Sequence, residues 1–192
     1  LAHYQAVLDS VTFSSTSSST ATRTISWSVN DGAVNSSVST TTLTVTPHQN
    51  VAPILDLDTG TIGHDASFSY KRQTTVNLAP HALVTDADSP NFNGGTLTIA
   101  STGASDKLSI LYQGSLPGKI AVDATSVYFG GTKIGTYASS NGGAALTIAF
   151  NSSATPDAVT ALLKDIQLLS NSNSGDGRTV KFTITDGDGG LS

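Results

Sequence analysis

Apolar residues recur at alternate positions along most of this chain, the period of a strand with one buried face. "RTISWSV" sets Ile25, Trp27 and Val29 against Ser and Thr, and "TTLTVT" does the same with Leu43 and Val45. The same reading picks out "ILDLD" from Ile54, "FSY" from Phe68, "TVNL" from Thr75 and "TLTI" from Thr96. It continues through "LSILY" from Leu108, "KIAV" from Lys119, "SVYF" from Ser126 and "KIGTY" from Lys133. The last three are "ALTIAF" from Ala145, "IQLL" from Ile166 and "TVKFTI" from Thr179. Short alternating runs separated by Gly, Asn and Ser predict an all-β sandwich, and Gly130-Gly131 between two runs predicts a tight hairpin. One stretch breaks the period. In "TPDAVTALLKDI", Val159, Leu162, Leu163 and Ile166 fall at helical spacing, Thr155 can cap, Pro156 suits the first turn and Asp157 complements the dipole. A single short packing helix is expected there.

The pattern also repeats. Residues 6–37 align without a gap on residues 161–192, an offset of 155. Leu8/Leu163, Arg23/Arg178, Asp31/Asp186 and Gly32/Gly187 are identical pairs. Val11/Ile166, Ile25/Val180, Trp27/Phe182 and Val29/Ile184 keep their character. The expected organisation is the C-terminal part of one repeat (1–47), a linker (48–53) and a second repeat lacking its last strand (54–192), as in a piece of a longer tandem array.

Composition agrees with strands and narrows function. The 192 residues include 27 Ser and 27 Thr, and all 14 acidic residues are Asp, so good helix formers give way to strand and turn formers. With no Cys there is neither a disulfide framework nor a thiolate metal site. A net charge of −5 with nine dispersed basic residues argues against nucleic acid or an anionic membrane surface as partner. No apolar run reaches transmembrane length, so no membrane insertion is expected. His3, His48, His64 and His81 show no paired spacing, and the nucleophile and phosphate-binding signatures are absent, so no enzyme is expected.

The candidate chemistry lies in the aspartates. "VTDADSPNFNGG" places Asp86 and Asp88 one residue apart, where they repel each other unless a cation lies between them. Ca²⁺ takes six to eight oxygen ligands, carboxylate and neutral alike. Asn91 and Asn93 offer amide oxygens, and "TDGDGG" offers Asp186 and Asp188 from a second loop. Asp before Gly is also an ordinary turn former, so each pair reads equally as a turn.

The order of these motifs resembles cadherin-type repeats. "TVTPHQNVAPIL" is similar to the inter-repeat linker ending in Ala-Pro, "VTDADSPNFNGG" to the Asp-Ala-Asp loop that follows it, and "FTITDGDGGLS" to the segment near the repeat's end. With "GGTKIGTY" and "NSSATPDAVTALL", the long repeat resembles the bacterial cadherin-like repeats of giant surface adhesins. The resemblance implies a cadherin/immunoglobulin-like β-sandwich. It implies Ca²⁺ held by Asp86 and Asp88, with Asp186 reaching the same site, an amide from Asn93 or Asn91, and Asn50 from the linker. It implies no catalysis but a calcium-stiffened structural and adhesive module, extracellular or at the cell surface, whose partners are neighbouring repeats. The linker departs from the family, with His48, Gln49, Asn50 and Val51 where Asp is usual, which implies fewer ions or weaker binding. The alternative is a carbohydrate-binding accessory module of a secreted enzyme using Tyr112, Tyr128 and Tyr137; T-x-T rows for ice or mineral binding are a weaker third. Finally, the strand over 38–46 is expected to fill the edge that the second repeat leaves open. Nine strand residues span roughly 30 Å and the five residues before Pro53 return only about 17 Å, so the expected pairing is an exchange between molecules.

Overall fold

The structure is a computed structural model that describes residues 2–15, 19–46, 50–172 and 177–189. The chain divides into two compact units, Leu1–Gln49 and Asn50–Ser192. The division falls inside the expected linker, of which His48 and Gln49 lie outside the described residues. The fold is mostly antiparallel β, as the alternation predicted.

The first unit contains helix α1 (Ala2–Asp9), strand β1 (Arg23–Trp27) and strand β2 (Ser39–Leu43). The two strands form an antiparallel pair with Arg23 opposite Leu43 and Trp27 opposite Ser39. The strand expected to fill an edge of the second repeat thus lies on its own repeat's hairpin. Trp27 donates its indole N–H to the Thr41 hydroxyl at 2.9 Å. No described residue of this unit is buried.

The second unit begins with β3 (Ile54–Asp56), β4 (Thr75–Asn77), β5 (Leu83–Thr85), β6 (Thr96–Ser101) and β7 (Asp106–Ile110). There follow β8 (Ile120–Val122), β9 (Ser126–Phe129), β10 (Thr132–Ser140) and β11 (Ala145–Phe150). Helix α2 (Pro156–Lys164), β12 (Ile166–Ser170) and β13 (Val180–Ile184) complete it. A six-stranded sheet runs β13-β6-β11-β10-β9-β8, a three-stranded sheet runs β4-β12-β7, and β3 pairs with β5. Alternation does the packing. Leu97 and Ile99 of β6, Ile148 of β11 and Leu108 of β7 turn inward, with Leu168 of β12, into one core. Helix α2 adds Val159, Leu162 and Leu163, all fully buried. Its N-cap is Thr155, whose hydroxyl accepts the Ala158 amide, with Pro156 at the first helical position. The β9–β10 hairpin turns at Gly130 and Gly131, both with positive φ.

Three expectations need correction. "FSY" at 68–70 forms no strand, although Phe68 and Tyr70 alternate; two aromatics in three residues do not make a strand without backbone pairing. Strand β5 was unforeseen, because "ALVT" runs straight into the Asp loop and reads as part of it. Helix α1 is a second helix. It lies where the repeat offset places it, since residues 2–9 correspond to 157–164 within α2. No helix among the described residues is long and apolar enough to cross a membrane.

Candidate cation site

Strand pairing brings three remote segments together. Ile54 lies opposite Thr85 in the β3–β5 pair, so the chain entering the unit at residues 50–53 runs beside the loop that leaves β5 at Asp86. That loop, 86–95, ends at β6, whose other neighbour is β13; Thr185 donates its amide to the Thr96 carbonyl at 2.9 Å. The loop after β13 therefore meets the end of 86–95. Their approach is close enough that a Cβ on Gly187 (φ +92°) would collide with the Asn93 carbonyl, so only glycine fits there. Phe92, fully buried against the Phe150 ring at 5.9 Å, anchors the middle of the loop.

Each aspartate loop is shaped by its own side chain. Asp86 Oδ1 accepts the amides of Asp88 (3.1 Å) and Ser89 (3.0 Å). Asp186 Oδ1 accepts those of Asp188 (2.8 Å) and Gly189 (3.1 Å). These are Asx turns, and they confirm the turn reading of both motifs. They engage one oxygen of each carboxylate and leave the second to reach elsewhere. Asp186, fully buried, uses its Oδ2 to accept the Asn50 side-chain amide at 2.9 Å. The Asp88 carboxylate accepts the Val51 amide at 3.1 and 3.3 Å. Asn50 and Val51 are adjacent, so Asp88 and Asp186 hold the start of the unit from two sides.

Two buried oxygens in this arrangement have no hydrogen-bond partner among the described residues: Asp86 Oδ2 and Asn50 Oδ1. Burying a polar oxygen unpaired costs about 1–3 kcal/mol, more for a charged one. Both are hard oxygen donors of the kind a Ca²⁺ ion takes, and the cluster supplies carboxylate, amide and carbonyl oxygen together. The donor chemistry fits the ion. Geometry limits it, because among the described residues no three acidic or imidazole side chains are arranged to hold a metal.

Of the residues singled out in the sequence, Asn50, Asp86, Asp88 and Asp186 come together. The other three sit differently. Asn91 Oδ1 is occupied by the Asn93 amide at 3.1 Å in a turn of its own. The Asn93 side chain is exposed and it is its backbone carbonyl that faces the second loop. Asp188 is exposed, and only its amide takes part in the turn. Val51, which the sequence reading passed over, enters through its backbone, a role no side-chain motif announces.

The tyrosines proposed for sugar contact divide. Tyr112 is exposed, whereas the Tyr128 and Tyr137 hydroxyls both converge on Asp123, donating to its Oδ2 and its carbonyl at 2.8 Å each. The Thr125 and Ser126 amides and the Tyr128 hydroxyl hold the Asp123 carboxyl below the usual carboxylate range, and the same bond raises the Tyr128 phenol. This is a turn pinned by two rings. His64 approaches Asp56, the last residue of β3, at 3.7 Å. Comparison with protein-family models, with curated proteins and with solved structures gave no match.

Proposed function

We propose that the second unit is a calcium-binding, cadherin-like β-sandwich module of a large repetitive protein, acting outside the cell as a structural and adhesive spacer rather than as an enzyme. The observation that carries the reading is the pair of buried, unpartnered oxygens, Asp86 Oδ2 and Asn50 Oδ1, beside the fully buried Asp186. A divalent cation bound by Asp86, Asp88, Asp186 and Asn50 would satisfy both oxygens and offset the repulsion among three carboxylates. It would also fix the chain at Asn50, where the linker meets the repeat, and so stiffen that joint. The antiparallel sheets and the 155-residue repeat support a sandwich in tandem array. The linker's lack of Asp supports a single ion rather than a cluster.

The test is thermal unfolding. A ligand that binds only the folded state stabilises it by RT ln(1 + [L]/Kd), about 2.7 kcal/mol at a hundredfold excess over Kd. Millimolar Ca²⁺ raises the melting temperature of the chain, EDTA lowers it again, and Asp86→Asn combined with Asp88→Asn abolishes the shift. A melting curve indifferent to both Ca²⁺ and EDTA leaves only the Asx turns.

A further inference from the structure

A buried polar group without a partner marks a place where a ligand has most to offer. Among the described residues the buried side-chain oxygens that lack a hydrogen bond are Asn50 Oδ1, Asp86 Oδ2, Ser89 Oγ, Asp106 Oδ1 and Ser170 Oγ. They fall into two groups. Asp106 on β7 lies opposite Ser170 on β12, and Asp106 Oδ1 is 3.5 Å from Nε of Arg178. A cation of the chain already balances that carboxylate, so the group repels a metal ion. The other group is Asn50, Asp86 and Ser89, and it contains no basic residue.

Ser89 is the new member. It is only 5% exposed. Its amide donates to Asp86 Oδ1 at 3.0 Å, so the turn that Asp86 builds carries the Ser89 side chain with it. A serine hydroxyl has one donor and two acceptor positions and rotates to find a partner. Left unpaired in a buried turn it costs stability that alanine, of nearly the same size, would not. Packing therefore gives no reason for a hydroxyl here. The oxygen count gives one. Single oxygens from Asp86, Asp88, Asp186 and Asn50 make four, against the six to eight that Ca²⁺ takes. A hydroxyl adds a fifth without adding to the repulsion among the carboxylates, and water supplies the rest.

We infer that the Ser89 hydroxyl oxygen is a further, neutral ligand of the cation site. The inference rests on the calcium reading of that site and adds a residue to it. Ser89 is a binding residue there and not a structural one: it makes no bond in the free chain, so its hydroxyl matters only when the ion is present.

Two substitutions in the whole chain test it. Ser89→Ala deletes the oxygen, and in EDTA that variant melts no lower than the unaltered chain. Its Ca²⁺ affinity, read by calorimetry, falls about tenfold. Ser89→Cys replaces the hard oxygen by a soft sulfur in a chain that otherwise has no Cys. It weakens Ca²⁺ binding and strengthens binding of Cd²⁺, a softer ion of similar size, with a thiolate–Cd²⁺ ultraviolet band that adding Asp86→Asn removes. Three results overturn the inference while the calcium reading stands: unchanged Ca²⁺ affinity in Ser89→Ala, a lower melting temperature of Ser89→Ala in EDTA, or a Cd²⁺ band in Ser89→Cys that is absent or survives Asp86→Asn. An unaltered chain that binds no Ca²⁺ overturns the calcium reading, and the inference with it.

Discussion

The molecule carries one pattern twice, and the two copies differ in what the pattern is packed against. Val7 of α1 is 64% exposed, while Leu162, its counterpart in α2, is fully buried. Phe13 is 50% exposed and its counterpart Leu168 only 2%. Yet local structure is reproduced in detail. Asp31 Oδ1 accepts the Ala33 and Val34 amides at 2.9 Å each, the bonds that Asp186 makes to Asp188 and Gly189. Those two amides hold the exposed Asp31 carboxyl below its usual pKa. Caps and turns are written within a few residues and form in either setting. Burial is written across the whole repeat, and among the described residues the first unit has only β1 and β2 to set against α1.

The largest effect that separates the copies is truncation of the helix. Leu163→Ala removes a fully buried side chain and lowers stability by about 3 kcal/mol, while Leu8→Ala, partly exposed, changes it by less than about 0.5 kcal/mol. Urea unfolding followed by circular dichroism reads both, and equal losses would break the comparison. The glycines come next. Gly32 and Gly187 both have positive φ, so alanine costs about 1–2 kcal/mol of backbone strain at either. At Gly187 its Cβ also strikes the Asn93 carbonyl, adding about 1–3 kcal/mol and moving the main transition, which Gly32→Ala leaves in place. The smallest effect is electrostatic. The α2 C-cap is Asp165 where the first copy has Ser10. Burial raises the Asp165 carboxyl above its ordinary value against the opposing pull of Lys119, and the carboxylate also opposes the helix dipole. The folded chain therefore keeps this proton to higher pH than the unfolded chain, and its stability falls as pH rises through that window. Asp165→Asn, which still accepts from Gln113, stabilises by about 0.5 kcal/mol at neutral pH, and the gain disappears below about pH 4.

Most strands and helix α2 were legible because their periods are local and unambiguous. Strand β5 was not, because three residues beside an Asp loop carry too little pattern; its existence follows from pairing with β3. Helix α1 was not expected, its own apolar spacing being weak; its position follows from the repeat only once α2 is known. At the site, the motifs pointed to Asp86, Asp88 and Asp186, and the linker to Asn50. Which oxygens are engaged was not readable, because Asx turns occupy one oxygen of each loop carboxylate and only folding leaves Asp86 Oδ2 and Asn50 Oδ1 unpaired. The same turn chemistry drew Asn91 into the candidate set for a bond that it makes to its own loop.

Calorimetric titration with Ca²⁺ tests the central claim most directly, and the repeat provides its control. Asp31 and Asp186 have the same local turn, but only Asp186 lies buried against Asn50 beside the 86–89 loop. The account predicts saturable Ca²⁺ binding by the unaltered chain and by Asp31→Asn, and its loss in Asp86→Asn and in Asp186→Asn. An absence of binding heat in the unaltered chain at several temperatures, or unchanged binding in Asp86→Asn, would contradict it.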